Sequence, residues 1–282
     1  MKLTILGSGS PEAYARRASS GYLIEAGNDV ILFDCGGGVF DNLLRSGRKP
    51  SDITHLFFSH LHSDHMMDYA RLVHAAWEEG GAPIEIFGPT PLAQITEGYF
   101  GAAGVLAHDL RARTEFQPSQ EVWKARGGTL PRPWPEPHVH EIGPDFTFDG
   151  NGWSLATCPV PHAQPHLECF GFRLESGGRS FVYSGDAGIC DPLKALSQNA
   201  DLLLHWCYRH DDEPASEAMA PLTPTPKEIS EMAKAAGVKQ LVLSHFRIHM
   251  DAPELYAKAL ADLQTTFGER GAIAEDLDQF NV

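Results

Sequence analysis

Twelve residues, FFSHLHSDHMMD from Phe57 to Asp68, hold three histidines and two aspartates directly behind an apolar run. His60 and His62 are two apart, so on an extended backbone their rings point to one side. Ser63 lets the chain turn, and Asp64 and His65 then open a helix whose bend aims them at the same hole. Three later apolar runs also end in a residue that can bind metal: CPVPH at His162, FVYSGD at Asp186 and LVLSH at His245. Five imidazoles and two carboxylates form a nitrogen and oxygen set that suits Zn²⁺, with Mn²⁺ or Fe²⁺ as alternatives. Two such cations ~3.5–4 Å apart share a water, lower its pKa and clamp a substrate oxygen that develops charge, which is hydrolytic chemistry.

The elements that must position these residues are short. KLTILGS, SGYLIEA, DVILFDCG and THLFFSH read as one group of strands separated by turn residues. WSLATCPVPH, CFGFRLES, SFVYSGD, DLLLHWC and QLVLSHF read as a second. Apolar periodicity predicts helices over Met66–Glu79, with Ser63 or Asp64 as the cap, over Pro226–Ala236 and over Pro253–Phe267. Two strand groups with a few helices imply an α/β chain of two packed sheets with helices outside them. Between about Pro89 and Glu141 the pattern decays, and Gly127–Glu141 carries four prolines, so an irregular lid is expected there.

The chain of 282 residues suits one large α/β domain or two small ones, and no stretch is apolar enough for a membrane span. The opening MKLTILGSGS lacks a secretory apolar region, so a cytoplasmic location is expected. Its five cysteines are scattered and lack C-x-x-C spacing, which indicates neither a disulfide framework nor a thiolate metal knot. A formal charge of −15 argues against an extended phosphate-binding surface and so against nucleic acid as a partner. Two divalent cations with Asp64, Asp186 and a hydroxide leave a local charge near +1, which still draws an anionic ester.

H-x-H-x-D-H followed by a distant His, an Asp and a last His resembles the metallo-β-lactamase superfamily. LTILGSGSP, FDCGGG, SGDAG and LSHF are most similar to its ribonuclease Z, arylsulfatase and cyclic-phosphodiesterase branch. The resemblance implies a single-domain four-layer αβ/βα sandwich over residues 1–282, with a Pro- and Trp-rich lid at about 92–141. It implies His60, His62 and His162 on one metal, Asp64, His65 and His245 on the second, and Asp186 bridging. It further implies two divalent ions, zinc first, and a homodimer. In two places the chain departs from the branch: it has HWCY and LTPTPKE, with Thr223 where a histidine is usual, and only 23 residues separate His162 from Asp186. The latter leaves no room for a long tRNA-grasping arm.

These observations lead to the expectation of a metal-dependent hydrolase in which a metal-bridging hydroxide attacks a small-molecule ester, anionic or aromatic. Phosphodiesters and sulfate esters come first; lactone or amide ring opening and hydrolytic dehalogenation fit the same ions. Transfer-RNA 3′ processing, iron-dependent oxygenation and metal binding without turnover complete the range. Asp64 is expected to act in catalysis as well as in binding, and His205 or His210 to protonate the leaving group. His138 and His140 are expected either at the pocket or in solvent, and Arg16-Arg17 either on substrate or solvated.

Overall fold

The computed structural model describes residues 1–282. The first half of the chain forms β1 (Lys2–Gly7), β2 (Gly21–Ala26), β3 (Asp29–Phe33), α1 (Val39–Arg45), β4 (His55–Phe57), α2 (Ser63–Met66), α3 (Tyr69–Glu78), β5 (Glu85–Gly88), α4 (Leu92–Phe100), α5 (Ala107–Thr114), α6 (Gln117–Ala125) and β6 (His138–Glu141). The second forms β7 (Thr147–Asp149), β8 (Trp153–Pro159), β9 (Phe170–Ser176), β10 (Arg179–Tyr183), α7 (Asp191–Leu196), β11 (Leu202–Trp206), α8 (Pro226–Ala235), β12 (Gln240–Ser244), α9 (Pro253–Phe267), β13 (Gly271–Ile273) and β14 (Gln279–Asn281). Two seven-stranded mixed sheets result, ordered β14-β1-β2-β3-β4-β5-β6 and β13-β12-β11-β10-β9-β8-β7.

Strand alternation explains the four layers. Ile31, Phe33 and Phe57 face inward to meet Phe172, Phe181 and Leu204 of the second sheet, while Leu32 and Leu56 face outward onto α1 and α3. Likewise Leu203 and Leu241 face outward onto α8 and α9. Between the sheets Phe33 lies 5.3 Å and Phe57 5.9 Å from Phe172, ring centroid to centroid. Such aromatic pairs add about 0.5–1.5 kcal/mol each beyond the area they bury. The expected αβ/βα sandwich is the fold observed.

Two local expectations need correction. The helix read over Met66–Glu79 is two helices broken at Asp68, whose carboxylate turns away to accept the N–H groups of Gly38 and Phe40 at the start of α1. About half of the segment read as irregular is helical, in α4, α5 and α6, while residues 128–137 are irregular as expected. Its proline run ends at Pro137, and HVHE then pairs in parallel with β5 as the edge strand β6. This insert packs against α3 and β5: Trp77 Nε1 donates to Pro133 O at 2.9 Å and β6 pairs with β5, while Trp134 Nε1 donates to Phe100 O within the insert. No hydrogen bond or ring contact joins it to the seven candidate ligands.

Candidate metal centre

Each of the seven residues sits just past the C-terminal end of a strand or at the start of α2, where side chains leave the packed core. β4 delivers His60 and His62, β8 delivers His162, β10 delivers Asp186 and β12 delivers His245. The chain must turn sharply to aim them, and His245 takes a left-handed backbone, φ 66°, as does Asp34 at the end of β3, φ 57°. Non-glycine residues rarely adopt this conformation, and it clusters at functional sites. Gly36 permits the close approach of α2, since a Cβ there would lie 2.0 Å from Asp64 O.

The structure brings all seven together. His60 Nε2 is 3.0 Å from His62 Nδ1, and His162 Nε2 is 3.2 Å from the same atom. His245 Nε2 is 3.2 Å from both Asp64 Oδ2 and Asp186 Oδ2. Asp186 faces both groups, with Oδ1 3.5 Å from His65 Nε2 and Oδ2 3.7 Å from His162 Nε2. Four ligands at ~2.0–2.1 Å around one cation lie about 3.3–3.4 Å apart, so these separations are those of ligand edges. His65 Nε2 and Asp186 Oδ1 face each other, are buried, and have no hydrogen-bond partner, as expected of atoms that bind a cation.

Electrostatics agree with the geometry. Burial and the neighbouring His65 push His60 well below its ordinary pKa, and burial pushes His162 down to about 4 against the opposing Asp186. Both rings are therefore neutral with lone pairs to offer. Burial works against ionised His65 and Asp186, but the pair overcomes it, aided by Asp34 on His65 and by His245 on Asp186. A cation in place of the shared protons satisfies the same carboxylate.

Sequence reasoning missed three participants. Asp34, fully buried, accepts His65 Nδ1–H at 2.8 Å, Ser59 N–H and Oγ–H at 2.8 Å each, and Tyr183 O–H at 2.7 Å. It fixes the His65 tautomer so that Nε2 faces the centre. Trp206, 3% exposed, stands with its ring centroid 5.2 Å from that of His162 and 5.4 Å from that of His245, and its Nε1–H donates to Ala187 O. Tyr208, half-buried, stacks on Trp206 at 5.5 Å and lies 6.0 Å from His245. Only strand parity could have pointed to Trp206, since neighbours on β11 face opposite sides.

That parity removes His205 from the centre. Its ring is wholly buried on the face opposite Trp206, level with Leu243, and Nδ1–H donates to Trp206 O at 2.7 Å. Burial pushes its pKa down to about 4, so it carries no proton to give near neutrality. His210 is also buried, with Nδ1 accepting the Asp212 N–H at 3.3 Å. His138 and His140 bind the two oxygens of Glu85 at 2.6 and 2.7 Å on the sheet edge. Arg17 is a buried clamp on Asp251, and Arg16 pairs with Glu275.

A family model described as Beta-lactamase superfamily domain matches residues 29–246. Ribonuclease Z of Mycobacterium sp. (strain KMS) is 30% identical over 290 residues, covering 100% of this chain and 96% of that one. Ribonuclease Z of Mycobacterium tuberculosis (strain ATCC 25618 / H37Rv) is 30% identical over 288 residues, with 100% and 98% covered. Among solved structures, the metallo-beta-lactamase fold protein YhfI from Bacillus subtilis superposes with a TM-score of 0.73 at 22% identity, covering 99% of this chain and 98% of that one. Human tRNase Z, short form, gives 0.71 at 22% identity, with 100% and 99% covered.

These relatives correct one expectation. The expectation that nucleic acid is an unlikely partner does not stand against whole-chain relatives named Ribonuclease Z. The error lay in reading total charge as local charge: −15 is a sum over the whole chain, whereas a polyanion responds to the potential of the patch it touches. The chain belongs to the beta-lactamase superfamily, as a metal-dependent hydrolase of the metallo-β-lactamase fold.

Proposed function

We propose that the chain is a dinuclear phosphodiesterase whose substrates include RNA. The observation that carries this reading is that Asp186 reaches both ligand groups, with Oδ1 3.5 Å from His65 of one and Oδ2 3.7 Å from His162 of the other. His60, His62 and His162 would hold one divalent cation, Asp64, His65 and His245 the second, and Asp186 both. The nitrogen-rich set favours Zn²⁺. Two such ions supply Lewis acidity, lowering the pKa of water and offsetting charge on the scissile phosphate. Support for RNA comes from the relatives named Ribonuclease Z at 30% identity across the full chain.

The chain's own residues do the remaining work. Asp34 orients His65, and Trp206 walls the centre on one side and excludes water there. Trp206 has no acidic proton to transfer, its N–H being committed to Ala187 O. Tyr208 stands beside it, half-exposed, and is the side chain placed to protonate a leaving oxygen.

The test is hydrolysis of an RNA hairpin with a 3′ extension, of bis(4-nitrophenyl) phosphate and of a lactone by the Zn²⁺-loaded chain, beside His62→Ala. Cleavage of both phosphodiesters, lost on substitution, is the expected result. Lactone hydrolysis without phosphodiester cleavage, or activity indifferent to His62→Ala, would refute the proposal.

A further inference from the structure

We propose that the helical insert grips RNA away from the scissile bond, an inference that rests on the phosphodiesterase reading and its RNA substrate. No arm projects between His162 and Asp186, because β9 and β10 occupy most of that connection. The surface that holds a long polyanion must lie elsewhere on an acidic molecule.

Charge singles out one segment. Residues 101–133 contain five Lys and Arg and three Asp and Glu, a net +2. The rest of the chain then holds 17 basic and 34 acidic residues, or −17. Around Glu78, the last residue of α3, three guanidiniums converge: Arg113 at 2.8 Å, Arg132 at 3.0 Å and Arg126 at 3.6 Å. Asp109 also pairs with Arg113 but shares itself with His74. Arg111 donates to the carbonyl of Ala102, and Lys124 makes no ion pair. With Glu78 counted, the cluster nets +1, and the excess is carried by Lys124 and the exposed Arg126.

The architecture displays this charge. Arg132 lies between the faces of Trp77, at 3.6 Å, and Trp123, at 4.3 Å, and so bolts α6 to α3. α6 itself has no buried residue, so its outer surface contributes little to the core. Arg126 has 64% of its side chain exposed, and Phe116, just before α6, is 61% exposed. Exposed arginines and lysines beside an unburied aromatic are the composition with which proteins hold RNA backbones and stack unpaired bases. α3 starts beside the metal centre and ends at the cluster, and its ten residues span about 14 Å. At the ~3.4 Å axial rise per nucleotide of a stacked B-form strand, about four nucleotides cover that distance.

The test uses the full-length, Zn²⁺-loaded chain with bis(4-nitrophenyl) phosphate as reporter and the 3′-extended RNA hairpin as competitor. The inhibition constant then reads RNA affinity whether or not the RNA is cut. Arg111→Ala, Lys124→Ala and Arg126→Ala combined should raise that constant at least tenfold and flatten its salt dependence by about two to three in log–log slope. Turnover of the reporter should stay within twofold, and Arg111→Lys with Arg126→Lys should retain RNA affinity. An inhibition constant unchanged by the triple substitution, or no inhibition of the wild-type chain by RNA, would overturn the inference while reporter turnover upholds the phosphodiesterase. If the reporter is not hydrolysed at all, that reading fails by itself. Fluorescence anisotropy of the labelled hairpin then decides the role of the insert by the same comparison of variants.

Discussion

Asp34→Asn tests how far the metal centre depends on a residue that does not face it. The Asp34 carboxylate accepts four hydrogen bonds, from Ser59 N–H, Ser59 Oγ–H, His65 Nδ1–H and Tyr183 O–H, all at 2.7–2.8 Å. Every one is buried, and a hydrogen bond to a charged acceptor contributes about 1.5–3 kcal/mol against 0.5–1.5 for a neutral one. An asparagine has one oxygen for these donors. If it faces His65, Ser59 Oγ and Tyr183, its amide N–H₂ opposes the Ser59 N–H; if it faces Ser59 N–H, three donors lose their acceptor. Either arrangement loosens His65, and loss of such a supporting partner typically lowers metal affinity 10–100-fold, about 1.4–2.7 kcal/mol. Competition with a chromophoric chelator for Zn²⁺ measures this directly. Affinity within twofold of wild type, with an unchanged melting temperature, would refute the assignment of Asp34 as the group that holds His65.

Three further outcomes are expected. Tyr208→Phe should lower kcat about 10²-fold on RNA, whose leaving alkoxide needs a proton, and leave 4-nitrophenyl release nearly unchanged; equal losses on both would show that Tyr208 only packs. Burial alone would push the Asp201 carboxyl up, but Lys239, the Ser180 N–H and Arg179 outweigh it and hold it below its ordinary value. Its stabilising contribution is present above the unfolded value of ~3.9 and is lost as pH falls toward the folded one. Denaturation curves of wild type and Asp201→Asn should therefore converge on acidification, and parallel curves down to about pH 2.5 would contradict this. Burial pushes all five thiols up, Cys158 and Cys169 to about 12, and only Cys190 is half-buried instead of buried, so it alone should react with an aromatic disulfide in the native chain.

The clustering of these residues was legible because four of them, His60, His162, Asp186 and His245, end apolar runs, and a strand end is where a side chain can leave the core. The boundaries of α8 and α9 were legible for a local reason too, with Pro226 and Pro253 at their starts. What escaped the sequence depends on distant partners. The break between α2 and α3 follows from Asp68 reaching residues 28 and 30 positions away. Asp34 matters through Ser59, His65 and Tyr183, the last 149 positions away. The insert forms helices with the support of contacts such as Arg132 between Trp77 and Trp123, and a proline-rich linker gives no hint of that contact. His205 and Trp206 adjoin on one strand, and only its parity, fixed by the pairing of β11, decides which of the two faces the seven candidate ligands.

The most direct test titrates chelator-treated protein with Zn²⁺ while following bis(4-nitrophenyl) phosphate turnover and metal bound per chain. Two sites that share Asp186 predict that turnover rises to a plateau at two equivalents, and that Asp186→Ala binds less metal and is inactive. Full turnover without added metal, or a plateau reached with no ion bound at His60, His62 and His162, would contradict a dinuclear centre at these seven residues.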